Sequence, residues 1–207
     1  RPVALDLVAQ TGETAMLATL DDRSAEALYI DVVNSDQDIR YSPRVGSRWP
    51  LYCTGMGRAL LAFQEPVFVD RYLASARTVE RTELTVTGVA RLRRIIAGVR
   101  SAGVVVTEGE HTVGAGAVAA PIIERDGRVR CAIGIGVPIA RLGPRREALA
   151  GLVADAARRV SWTLGGHGAS PVPLTITALT PLPDEARPPA ARSSPMPRAA
   201  APARRHR

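Results

Sequence analysis

The stretch GEHTVGAGAVAAPI, residues 109–122, contains Gly114-x-Gly116-x-x-Ala119, close in spacing to the glycine fingerprint that cradles the pyrophosphate of a dinucleotide. That chemistry needs a strand before the glycines and a helix directly after them, because the phosphates rest on the helix N-terminus. Pro121 falls five residues after Gly116, inside the first turns of such a helix, and the run passes straight into the turn-like ERDGR. The motif is not a cofactor loop, and no cofactor is expected. Beside it, Glu108, Glu110 and His111 have the right side chains for a metal site or an acid/base cluster, but a solvated polar strand end or loop accounts for them more simply. Cys53 and Cys131 lack metal-ligand spacing and are too few for a disulfide framework. Cys131 alternates with Ile133 and Ile135 as a small core residue does, and nothing in the sequence sets a base beside Cys53, which is placed near the mouth of any pocket here. The other two histidines, His167 and His206, lie at or beyond the last helix. No catalytic residue is assigned, and the chain is not expected to be an enzyme.

TGMGRALLAF, residues 54–63, offers a different chemistry. Thr54 suits a helix N-cap, followed by apolar Met56, Leu60, Leu61 and Phe63. A helix starting there presents backbone N–H groups at Gly55, Met56 and Gly57, where the helix dipole favours an anion such as a carboxylate. The plainer alternative is that these glycines only permit close helix–sheet packing.

The elements that must position these residues follow from periodicity. TAMLATL (14–20) and ALYIDVV (27–33), joined by DDRS, read as a hairpin, with a third strand expected at Asp38–Ser42. A short helix is expected from Pro66 to Ala74, and an amphipathic one over 87–103, with Val89, Leu92, Ile95, Ile96 and Val99 on its apolar stripe and Gly103 as its stop. Strands follow at about 104–108, 115–123 and 129–137, the last two linked through Asp126-Gly127, and a long helix over 144–166 closes the domain. This order predicts an α+β domain, a mainly antiparallel sheet with helices packed on it. In CAIGIGVP, Gly134 and Gly136 lie two apart on one face; if that strand pairs with 115–123, the face carrying Ala117, Gly134 and Gly136 has almost no side-chain volume. Either a packed helix or a ligand must fill it.

Bulk properties exclude several functions. No run approaches the roughly 20 apolar residues of a membrane span, and a cytoplasmic location is expected. The net charge of +7 divides unevenly: residues 1–168 hold 21 Arg against 18 acids, and residues 169–207 six Arg against two. The Arg-rich faces of 91–100 and 145–159 read as solvated surfaces, and the tryptophans and tyrosines do not interleave with arginine as a nucleic-acid stacking platform would. The segment 169–207, with nine of the 16 prolines among Ala, Ser and Arg, is expected to be a disordered tail on a domain spanning 1–168.

Taken together, TGETAMLATL (11–20), YIDVV (29–33), RVGSRWPLYCTGMGRALLA (44–62), LRRIIAGVRSAGVVVTEGEH (92–111), GAVAAPI (116–122) and DGRVRCAIGIGVPIARL (126–142) resemble, in order, the effector-binding domain of the IclR family of bacterial transcription regulators. The resemblance implies a GAF-like curved sheet flanked by helices, a small organic effector, and a homodimer or homotetramer. It also implies operator DNA binding only through an N-terminal winged helix-turn-helix that is absent from this chain, RPVALDLVAQTGET matching the end of the linker helix. The effector-contacting positions that it implies are Thr54, Gly55, Met56, Gly57, Thr107, Ala117, Gly134 and Gly136. Relatives that bind small polar acids carry Asp, Cys and two Ser where this chain has Thr107, Ala117, Gly134 and Gly136. With those polar groups gone, a short keto acid would leave buried oxygens unpaired, so an aromatic or larger carboxylic acid is expected instead. A stand-alone GAF-like ligand-binding or interaction module is the competing expectation.

Overall fold

The computed structural model describes residues 1–166; the expected disordered tail lies outside the described residues. The elements run α1 (Pro2–Thr11), β1 (Thr14–Asp21), β2 (Glu26–Val33), β3 (Arg48–Pro50), α2 (Gly55–Leu61), α3 (Pro66–Ser75), α4 (Val89–Ala102), β4 (Val105–Glu108), β5 (Ala115–Ile123), β6 (Val129–Pro138), α5 (Ile139–Leu142), a 3₁₀ turn (Gly143–Arg145) and α6 (Arg146–Thr163). The six strands form one curled antiparallel sheet in the order β3-β2-β1-β6-β5-β4, so the fold is α+β as expected.

Strand alternation divides the core in two. Ala15, Ile135 and Val118 line up across β1, β6 and β5 and point to α1 and α6; Met16, Gly134 and Ala119, one residue along, point to α2 and α4. Helix α4 buries Leu92, Ile96 and Val99 while its first residue, Val89, stays exposed, and Gly103 ends it in the left-handed conformation. Pro121 sits beyond the last β4–β5 pair, Val105–Ala119, where no β4 carbonyl needs a donor.

Two expectations need correction. Asp38–Ser42 is not a strand; the third strand is Arg48–Pro50, pairing with Glu26–Leu28. The final helical region starts at Ile139 rather than 144 and turns through Gly143–Arg145 before α6. The irregular segment 34–47 that replaces the expected strand is nevertheless anchored. Glu13, 1% exposed, accepts two hydrogen bonds of 2.7 Å from Arg141, whose guanidinium also donates to Ile39 O at 3.0 Å. Arg145 donates to Thr11 O at 2.8 Å and Arg146 pairs with Glu108, so this end of the Arg-rich helix is structural rather than merely solvated.

Candidate functional site

The site is built where α2 begins. Thr54 caps it: its Oγ1 accepts from the Gly57 N–H at 3.1 Å and donates to Pro50 O at 2.8 Å. A Cβ on Gly55 would lie 3.0 Å from Ala117 Cβ and 3.3 Å from Thr107 Oγ1, so the glycine lets the helix start settle on β4 and β5. Thr54, Gly55, Thr107 and Ala117 thereby meet around one small cavity. The Gly57 N–H, which the sequence offered to an anion, is occupied by Thr54, and a Cβ at Gly57 would strike Leu51 Cα at 2.5 Å. At this position the packing alternative holds.

The other sequence-selected positions stand behind the cavity. A Cβ on Gly134 would fall 2.5 Å from Val118 O and 2.8 Å from Met56 Sδ; one on Gly136 would fall 2.6 Å from Tyr41 Cδ1. The volume left by the two glycines is filled by α2 through Met56 and by the 34–47 segment through Tyr41, so Met56, Gly134 and Gly136 do not border the open space. The glycine fingerprint resolves the same way: Gly114 is a left-handed turn residue (φ 77°), and Gly116 makes room for Leu142, whose Cδ2 would be 2.5 Å from a Cβ there.

Aromatic rings form the opposite wall. Trp49 is in contact with Tyr29 (centroids 4.7 Å apart), Tyr41 (5.9 Å) and His111 (4.6 Å, planes 23° apart). Met16, buried Cys53, Glu110, Thr112, Ala115 and Gly116 complete the lining. The remaining space is about 30 Å³, room for a water, against the roughly 150 Å³ of an engineered cavity that takes up benzene. Burial raises the pKa of the Tyr29 and Tyr41 hydroxyls and the Cys53 thiol, leaving all three neutral near pH 7.

Sequence reasoning missed the charges of this wall. Arg58, only 2% exposed, donates to Glu110 through Nη1 at 2.6 Å and Nη2 at 2.5 Å, and through Nε to Tyr52 O at 2.7 Å. The signal was an arginine inside the apolar run TGMGRALLAF, on a helix whose every residue is buried. Glu110 and His111 are therefore not a solvated strand end. His111 Nδ1 is 3.0 Å from Thr112 Oγ1, while its buried Nε2 has no hydrogen-bond partner. Burial, aided by the Arg81 charge, lowers the His111 pKa to about 4. Among the described residues no cluster of three or more His, Cys, Asp or Glu is arranged to hold a metal ion.

Residues 1–162 match the sequence profile described as bacterial transcriptional regulator IclR C-terminal. The chain belongs to the IclR family. It is 31% identical over 163 residues to the HTH-type transcriptional regulator BhcR of Paracoccus denitrificans, covering 78% of this chain and 58% of that protein. The crystal structure of the C-terminal domain of Escherichia coli KdgR superposes with a TM-score of 0.70 at 28% identity, covering 79% of this chain and 94% of that one. An IclR homolog from Microbacterium hydrocarbonoxydans, crystallised with 4-hydroxybenzoate, gives a TM-score of 0.72 at 25% identity, covering 80% and 66%. The chain thus spans between about half and three-fifths of the length of the curated relatives that it matches. No helix among the described residues is long and apolar enough to cross a membrane.

Proposed function

We propose that this IclR-family domain senses an aromatic carboxylic acid in the cavity between the α2 start and Trp49, and that occupancy alters operator binding by a helix-turn-helix domain in the same protein. The observation that carries this reading is the aromatic wall: Tyr29, Tyr41, Trp49 and His111 converge on one cavity opposite Thr54, Gly55, Thr107 and Ala117. Flat apolar faces with a few polar atoms among them match a benzoate-like molecule better than a two- or three-carbon keto acid. The homolog crystallised with 4-hydroxybenzoate supports the same ligand class.

The cavity is too small for any such ligand as it stands, so entry requires a filler to leave. Tyr41 is that filler: it lies on the irregular 34–47 segment, outside both the sheet and the helices. Its departure exposes the Gly136 face, bringing Gly136 within reach of a ligand as the family resemblance implies, while Met56 still covers Gly134. In this reading the domain works as a homodimer or homotetramer, which light scattering measures directly.

Isothermal titration of the domain with 4-hydroxybenzoate, benzoate, glyoxylate and pyruvate tests the proposal. Binding of the aromatic acids with negative heat capacity supports it; binding of the short keto acids alone overturns it.

A further inference from the structure

We infer that His111 is the specificity-determining anchor of this cavity, its Nε2–H donating to the carboxylate of the aromatic ligand while its ring face stays against Trp49. The assignment rests on the preceding reading of the cavity.

Three observations carry it. Nε2 is buried and unpartnered, on a residue that lines the cavity in a wall otherwise satisfied within the protein. A buried polar atom left unpaired calls for a partner from outside the chain. The other nitrogen is already engaged: Thr112 Oγ1 stands 3.0 Å from Nδ1. With the Thr112 hydroxyl donating to Nδ1, the neutral imidazole carries its proton on Nε2 and offers a donor to the cavity.

The surrounding charge then selects an acceptor. Arg58 and Glu110 neutralise each other, and Arg81, which forms no ion pair with a carboxylate among the described residues, places its positive charge near His111. An anion placed at Nε2 faces a net positive environment, whereas a cation would meet repulsion. The ring stacking holds the imidazole in place, its plane 23° from that of Trp49, in the wall of the cavity.

The test uses the domain itself, with 4-hydroxybenzoate and benzoate as probes. His111→Phe keeps a ring against Trp49 and removes both nitrogens; it is expected to bind both acids about tenfold more weakly, with His111→Gln between the two. Long-range ¹H–¹⁵N spectra of the unsubstituted protein give a readout independent of the variants. With three histidines in the chain, the His111 pattern is resolved, and it is expected to show the Nε2–H tautomer with Nε2 shifting on addition of benzoate. Binding by the unsubstituted domain that His111→Phe leaves within twofold, or a titration that leaves the His111 nitrogens unmoved, overturns the assignment alone. Absence of binding by the unsubstituted domain overturns the assignment together with the reading of the cavity.

Discussion

The His111 imidazole stacks on the Trp49 indole, ring centroids 4.6 Å apart and planes 23° apart, joining the β4–β5 connection to β3 across the mouth of the cavity. Partial burial keeps this ring neutral. The folded-state pKa, about 4, lies below the ordinary 6.5, so between these values the unfolded chain binds the proton that the folded chain refuses. The stability contributed by the neutral ring is fully present above about pH 6.5 and is lost as the pH falls toward 4. Urea titrations at pH 7, 5.5 and 4.5 should therefore show a decline that His111→Phe flattens by up to one proton's worth of slope. An equal pH dependence in the variant would show that His111 titrates alike in the two states.

Arg58 and Glu110 form a buried, two-pronged ion pair in which neither residue can be removed alone without cost. Glu110→Gln leaves a guanidinium that is 2% exposed without a counter-charge, and a loss of about 3–5 kcal/mol is expected from chemical denaturation. The double variant Arg58→Met, Glu110→Leu removes both charges and should recover most of that loss, although the Tyr52 carbonyl then loses its Arg58 donor. A double variant no more stable than Glu110→Gln would show that the pair stabilises the fold beyond balancing its own charges.

The glycines divide by what lies beside them. Gly134→Ala brings a methyl group against the Val118 carbonyl at 2.5 Å, a backbone atom that cannot yield as the Met56 thioether can, and should cost about 1–3 kcal/mol. Gly98 sits inside α4 with nothing within 4 Å of a Cβ; Gly98→Ala should stabilise by about 0.5–1 kcal/mol. Thermal melts of the two variants should move in opposite directions, and a Gly134→Ala protein as stable as its parent would mean that β5 and β6 separate more easily than this packing implies.

Local rules recovered most of the elements because their signals are local. Leu92, Ile96 and Val99 recur at helical spacing, Asp126-Gly127 makes the β5–β6 turn with Gly127 at φ 77°, and Thr54 caps α2. The failed strand at Asp38–Ser42 shows the limit: β3 is only Arg48–Pro50, too short for any alternation, and exists because β2 offers it an edge. At the site, Thr54, Gly55, Thr107 and Ala117 were legible through capping and the family resemblance, and all border the cavity. Tyr41, Trp49 and His111 come from segments with no periodic pattern, and only the curl of the sheet brings them together. The sequence exposed the missing volume at Gly134 and Gly136, but not that Met56 and Tyr41 occupy it, since that depends on tertiary approach rather than on spacing.

Tyr41 should behave as a removable plug. Its ring lies where a Gly136 side chain would be, 2.6 Å from an ideal Cβ, and it borders the 30 Å³ that remain. Truncation to alanine removes the Trp49 contact and leaves a void, costing stability in the unliganded protein, on the order of 1–3 kcal/mol for a ring that is only partly buried. The same void removes the work of displacing the ring, so an apolar aromatic such as benzene, which makes no use of the His111 nitrogen, should bind Tyr41→Ala more tightly than the parent and restore part of the lost melting temperature. Benzoate, which also uses the His111 nitrogen, should gain from the same void while keeping that contact in both proteins. Melting curves of both proteins with each ligand separate the two effects. Equal stabilisation of parent and variant by benzene would mean that Tyr41 does not move on binding and that the room for a ligand comes from another part of the wall.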